Sequence, residues 1–107
     1  LAPVKVAILP LLKKDGLPEK AMEIMNDLKF DYKCAYEEKD TIGKRYRRQD
    51  AIGTPFCVTV DHQTLTDGTV TLRHRDSMQQ DRVKIEDLHG IIGEAVNMRN
   101  LFKKIVG

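Results

Sequence analysis

The densest positive charge in the chain lies at Gly43-Lys44-Arg45-Tyr46-Arg47-Arg48. At ~100° of rotation per residue, Lys44, Arg45, Arg47 and Arg48 fall on one broad face of a helix, and Ile42 and Tyr46 fall on the other. Those two apolar residues can anchor the helix to a sheet. No carboxylate follows the four cations until Asp50, so the outer face suits an anion. Phosphate is the natural one, because guanidinium groups grip it through two parallel hydrogen bonds. A solvated helix face is the alternative.

A second basic set is Arg73, Arg75 and Arg82, with Lys84 beside it and Asp76, Ser77, Met78 and Gln80 in between. Arg, Asp and Gln can read the edges of bases, and Met offers an apolar surface to an unstacked one. Salt bridging across an exposed sheet would use the same residues. Phe56 is either a further contributor or a core residue.

Catalytic patterns are missing. Gly43-Lys44 fails as a phosphate loop, because Arg45 stands where Ser or Thr is required and Glu38 where the earlier Gly should be. No G-x-G-x-x-G follows the first apolar run. His62, His74 and His89 are scattered and no C-x-x-C occurs, which leaves no ligand spacing for a metal. Ser77 is the only serine and lacks an elbow motif. Cys34 and Cys57 lie in apolar, strand-like runs and read as reduced core residues rather than a disulfide or a nucleophile.

These residues need elements to hold them. Val4 to Leu9 reads as a buried strand ended by Pro10. Pro18 suits the first turn of a helix whose buried stripe is Ala21, Ile24, Met25 and Leu28. Tyr32 to Tyr36 is a second strand. Asp40 or Thr41 caps a second helix running to about Ile52. Thr54-Pro55 opens a third strand, Phe56 to Asp61, apolar on both faces and therefore central. Asp67-Gly68 is a turn signal. Thr69 to Arg75 then alternates, with Val70, Leu72 and His74 on one face and Thr71, Arg73 and Arg75 on the other. A fifth strand near Asp81 to Ile85 points Val83 and Ile85 inward and Gln80, Arg82 and Lys84 outward. Leu88, Ile91, Ile92 and Ala95 begin a final helix, with fraying expected from Asn97 on.

Alternating strands and helices argue for parallel strands with crossover helices, and the late hairpin forces at least one antiparallel strand. The expected fold is α/β: a three-layer α/β/α domain around a five-stranded mixed sheet. The 107 residues suit one domain, residues 1–107, with one core. Neither a membrane span nor a signal peptide is visible. A first residue other than Met points to a piece of a longer chain. The net charge of +2 is too small to imply a partner by itself, so the distribution of charge matters more than its sum.

Several stretches together resemble the anticodon-binding domain of glycyl-tRNA synthetases of the dimeric class II kind. They are Leu1-Ala2-Pro3-Val4-Lys5-Val6-Ala7, Lys13-Lys14-Asp15-Gly16-Leu17, Ile42 through Asp50, Ile52 through Asp61, Asp67 through Thr71, and Arg75-Asp76-Ser77-Met78. Their order and spacing over about residues 1 to 96 make the joint match specific. Where the family commonly has Arg-Asp-Arg-Asp, this chain has Arg73-His74-Arg75-Asp76.

The resemblance implies a cytoplasmic enzyme, a homodimer, that joins glycine to its tRNA with ATP and magnesium. It also implies that the adenylate chemistry belongs to an upstream catalytic domain and that this segment binds tRNA without catalysis. Lys44, Arg45, Arg47 and Arg48 are then expected on the RNA backbone. Arg73, Arg75, Asp76, Met78, Gln80, Arg82 and Phe56 are expected at the anticodon. A stand-alone nucleotide-binding or redox protein, or a protein-interaction domain, remains the alternative at this point.

Overall fold

A computed structural model describes the backbone of residues 5–106 and the side chains of residues 5–97. Five strands form one sheet: β1 (Lys5–Pro10), β2 (Lys33–Tyr36), β3 (Phe56–Val60), β4 (Thr69–His74) and β5 (Gln80–Lys84). The helices are α1 (Leu17–Leu28), α2 (Ile42–Ala51), α3 (His62–Asp67) and α4 (Leu88–Val106), the last entered through a 3-10 turn at Ile85–Asp87. The fraying expected from Asn97 concerns residues that, from 98 on, lie outside those whose side chains are described.

The strand order is β2-β1-β3-β4-β5. β1 pairs parallel with both β2 and β3, while β4 runs antiparallel to β3 and to β5. The sheet is thus mixed through the direction of one strand. The β-branched and apolar run of β3 has no exposed residue, as a central strand requires.

The two faces are covered unequally. On one, Val6, Ile8, Phe56, Val58, Val60, Val70 and Leu72 meet Leu17, Ala21, Ile24 and Leu28 of α1 and Leu88 and Ile92 of α4. This is the main core. On the other, Ala7, Leu9 and Cys57 meet Ile42 and Tyr46 of α2. A single ten-residue helix covers that second face, and it lies over β1 and β3. On the same face α2 reaches β4 through Tyr46 and Asp50, both of which meet Arg73.

Cys34 pairs in register with Val6 and packs into the main core, whereas Cys57 pairs with Ala7 and packs under α2. The two thiols therefore sit on opposite faces of the sheet, and both are free. Phe56 is 3% exposed, with its ring edge against His74 at 5.6 Å between centroids. That corrects its candidacy at an interface: it is a core residue.

The β3–β4 connection also departs from expectation. Asp67-Gly68 ends a helix instead of making a hairpin turn. Asp61 caps α3 and forms a reciprocal capping box with Thr64, and Gly68 terminates it at φ 70°, in the left-handed region that glycine occupies without steric cost. The signal was Asp61 followed three residues later by Thr64, too short a stretch to show helical periodicity.

Candidate nucleic-acid interface

Helix α2 begins at Thr41, whose hydroxyl accepts from the Lys44 N–H at 3.3 Å. Its inner stripe is Ile42, Arg45, Tyr46 and Gln49, the i, i+3, i+4, i+7 pattern with two polar members. Arg45 is 1% exposed. Its Nη1 donates to the carbonyls of Pro10 (2.6 Å) and Glu37 (3.1 Å), and its Nη2 to that of Leu11 (3.1 Å). The side chain thereby closes the carboxyl ends of β1 and β2. The expectation that Arg45 faces RNA is corrected: ends of parallel strands carry orphan carbonyls, and a buried guanidinium satisfies three of them.

Arg48 is half-exposed but engaged. It pairs with Glu37 and, at 2.5 Å, with Asp40. Both carboxylates come from the segment preceding α2, so one of the four cations, Arg48, does have acidic partners ahead of Asp50. Gln49 donates to Glu37 at 2.7 Å and accepts from Thr54 at 2.6 Å, which joins α2 to the start of β3. Lys44 and Arg47 are exposed, lie one turn apart, and form no ion pair among the described residues.

On β4 and β5 the register sets Gln80 opposite Arg73 and Arg82 opposite Thr71, so Arg73, Gln80 and Arg82 share the α2 side of the sheet, as the alternation predicts. Arg73 is 7% exposed. Its guanidinium forks onto the Asp50 carboxylate at 2.6 and 2.9 Å and lies 5.0 Å from the centre of the Tyr46 ring, and Nη2 meets the Met78 sulfur at 3.6 Å. That hydrogen bond holds the Asp50 carboxyl below the usual carboxylate range and raises the Arg73 guanidinium. Arg73 is thus committed inside the domain, which corrects its expected place at an exposed reading surface. Its interior partner, 23 residues earlier, is invisible to a local reading of the sequence.

Arg82 is likewise occupied. Its Nη atoms take both oxygens of Asp61 at 2.6 and 2.7 Å, Nε donates to the Thr69 hydroxyl at 2.8 Å, and Nη2 donates to the Thr69 carbonyl at 3.1 Å. The Asp61 carboxyl is lowered first by this bond to Arg82.

The hairpin tip is different. The backbone closes with the His74 N–H on the Gln79 carbonyl at 2.9 Å, leaving Arg75, Asp76, Ser77 and Met78 exposed. Arg75 donates through Nε to the Asp50 carbonyl at 3.0 Å, and its Nη atoms make no hydrogen bond among the described residues; Nη1 lies 3.9 Å from Asp76. Met78 is 60% exposed and has φ 58°, in the left-handed region that side chains of its kind rarely adopt. Gln80 is exposed beside it. The structure thus gathers Arg75, Asp76, Met78 and Gln80 at one tip, and leaves Lys44 and Arg47 on the helix that Asp50 ties to that tip. Asp50 and Tyr46, which hold Arg73, were not among the candidate residues.

Among the described residues, no group of three or more His, Cys, Asp or Glu is arranged to hold a metal. His62 pairs instead with Asp15, His74 with Asp81, and His89 with Asp27 and Asp31. No described helix is long and apolar enough to cross a membrane.

Similarity to known proteins agrees with this architecture. The chain is 59% identical over 88 residues to a glycine–tRNA ligase of Treponema denticola, covering 82% of this chain and 20% of that protein. It is 58% identical over 96 residues to one of Clostridium perfringens, covering 90% and 20%, and 51% identical over 105 residues to one of Borreliella burgdorferi, covering 97% and 24%. The chain therefore spans about a fifth of the length of these relatives. A family model described as an anticodon binding domain matches residues 5–95, from the first residue of β1 into α4 and across every strand of the sheet. With its mixed sheet, crossover helices and late hairpin all inside that match, the chain belongs to the anticodon-binding domain family.

Proposed function

We propose that this chain is the tRNA-binding module of a glycine–tRNA ligase and that the tip formed by Arg75, Asp76, Met78 and Gln80 reads the anticodon. The observation that carries the reading is the exposure of these side chains at the end of a hairpin whose neighbours are fully bonded within the domain. Sequence-specific readers of RNA favour loops in which splayed bases show their pairing edges. Glycine anticodons carry cytosine at the second and third positions. A cytosine edge offers a carbonyl and ring nitrogen to a donor such as the Nη atoms of Arg75, and an exocyclic amine to an acceptor such as Asp76. Met78 supplies an apolar ledge for the base face.

Lys44 and Arg47 serve the adjoining phosphates. They have donors, no acceptors, and no ion pair among the described residues, which is what backbone contacts need. Arg45, Arg48 and Arg82 hold the domain together and stand behind this surface.

The remaining parts of the reaction belong elsewhere in the ligase. ATP and magnesium act in a catalytic domain joined to this segment, in a homodimeric enzyme of the cytoplasm. The residues described here do not fit either group. The crevice outside the carboxyl ends of parallel strands, where α/β proteins take nucleotides, is closed at β1 by Arg45.

The test is aminoacylation by the full-length ligase carrying Arg75→Ala, Asp76→Ala or Met78→Ala, on glycine tRNA and on transcripts with one anticodon cytosine replaced. Each lost base contact lowers discrimination by about 1 to 3 kcal/mol. Equal losses on both RNAs, or no loss, overturn the reading.

A further inference from the structure

We infer that Asp50 is a positioning residue for anticodon discrimination, setting the hairpin tip through Arg73 and Arg75 without touching RNA itself. The inference rests on the proposal that the tip reads the anticodon.

Asp50 is the penultimate residue of α2 and uses both of its polar ends on the hairpin. Its carboxylate receives the Arg73 fork at 2.6 and 2.9 Å, and its main-chain carbonyl receives Nε of Arg75 at 3.0 Å. That carbonyl, one of the last four of the helix, also accepts from the Gly53 N–H at 3.1 Å, so Arg75 shares it with the helix cap. The Arg75 N–H in turn donates to the Pro55 carbonyl at 3.0 Å. The main chain and the guanidinium base of Arg75 are therefore both fixed, and its Nη1 lies 3.9 Å from Asp76.

Arg73 passes the constraint to the other side of the tip. With one Nη2 it reaches both Asp50 and the sulfur of Met78, the latter at 3.6 Å. Met78 holds the left-handed backbone conformation, at φ 58°, that a side chain of its size adopts only when its surroundings enforce it. Tyr46 closes the cage from α2, its ring 5.0 Å from the Arg73 guanidinium and its hydroxyl hydrogen-bonded to Thr59. One carboxylate thus fixes the azimuth of Arg73, the approach of Met78 and, through the same residue's backbone, the plane of Arg75.

The arrangement also sets the distance between two kinds of contact. Arg47 precedes Asp50 by three residues on α2, a rise of about 4.5 Å. The backbone-facing cations and the base-reading tip are hence parts of one rigid unit joined at Asp50, and a stem-loop that seats its phosphates on α2 meets the tip at one fixed offset.

Asp50→Asn and Arg73→Lys test this in the full-length ligase. The first retains one hydrogen bond to Arg73; the second retains charge but loses the planar fork that spans Asp50 and Met78. The measurement is the ratio of kcat/KM for glycine tRNA to that for a transcript with the second or third anticodon cytosine replaced, a ratio that cancels any loss of active protein. Salt dependence of tRNA binding is measured alongside. Both variants should lower the ratio by about tenfold, within what a single base contact contributes, with no change in salt slope, because Lys44 and Arg47 are untouched.

A wild-type ratio in both variants, accompanied only by a lower melting temperature, makes Asp50 a purely structural residue and overturns the inference. Arg75→Ala and Met78→Ala separate the two layers. If these lower the ratio and Asp50→Asn and Arg73→Lys do not, the positioning role fails and the reading tip stands. If all four leave it unchanged, both fail.

Discussion

Both oxygens of the Asp61 carboxylate are held by the guanidinium of Arg82, at 2.6 and 2.7 Å. The pair joins β5, an edge strand, to the end of β3 two strands away, and Asp61 uses the same carboxylate to cap α3. The obvious basic residue of the fifth strand is therefore a strut. Replacing Arg82 with Ala removes a bidentate, charge-assisted contact with side chains 28% and 24% exposed. The expected cost is about 1 to 2 kcal/mol of folding stability. Urea denaturation of the variant measures it, and its anticodon discrimination should remain that of the wild type.

Arg45 and its helix neighbours make a sharper contrast. Arg45→Ala deletes a long, fully buried side chain and leaves the carbonyls of Pro10, Glu37 and Leu11 without their donor. A loss of about 3 kcal/mol or more is expected from the cavity and the unmet acceptors together. Lys44→Ala and Arg47→Ala should leave stability within about 0.5 kcal/mol. Each should instead lower the salt slope of tRNA binding by roughly 0.7 to 0.9, equally for cognate and anticodon-substituted RNA. Denaturation and salt titration of the same three variants tell the two roles apart.

The contrast shows where the sequence was legible. Periodicity exposed the strands and the helices α1 and α4 through their apolar buried stripes, and α2 through Ile42 and Tyr46; it also set Arg73 and Arg82 on the correct side of the sheet. It misplaced Arg45, because a polar residue on the inner stripe of a helix looks like part of its solvated face. Only the geometry of the strand ends, which present carbonyls to that stripe, explains why a guanidinium belongs there. The pairs Asp50–Arg73 and Asp61–Arg82 were illegible for another reason. Their members are 23 and 21 residues apart and meet through strand order, which local spacing does not specify. The hairpin tip was legible because contacts within a turn are local.

Cys57 gives a probe of folding that is independent of RNA. It is 2% exposed, and burial pushes its thiol up to about 11. At pH 8 roughly one molecule in a thousand would carry the thiolate, the form that reacts with alkylating reagents. Cys34, half-buried on β2, is raised as well, also by burial. Iodoacetamide at pH 8 should leave Cys57 unmodified in the native protein and label it fully in denaturant, as read by mass spectrometry of the peptides. Rapid labelling of native Cys57 would mean that α2 does not cover it.

Acid should weaken the domain through its paired carboxylates. Asp50 is lowered chiefly by its hydrogen bond to Arg73 and Asp61 chiefly by that to Arg82. Asp15 and Asp67 are lowered too, first by hydrogen bonds to His62 and Thr69. In the unfolded chain each returns to about 3.9. Above that value both states are ionised and the stabilisation is fully present. Below it the unfolded chain binds protons that the native carboxylates still refuse, so stability falls with pH until the native groups titrate in turn. Asp50→Asn removes one contributor. It should be less stable than the wild type at pH 7, and the gap should narrow steadily between pH 4 and the folded-state titration below it. Urea midpoints at pH 7, 4 and 3 check the convergence. A gap that stays constant across that range would mean that the Asp50 carboxyl titrates alike in the folded and unfolded chains and draws no charge-dependent stability from Arg73.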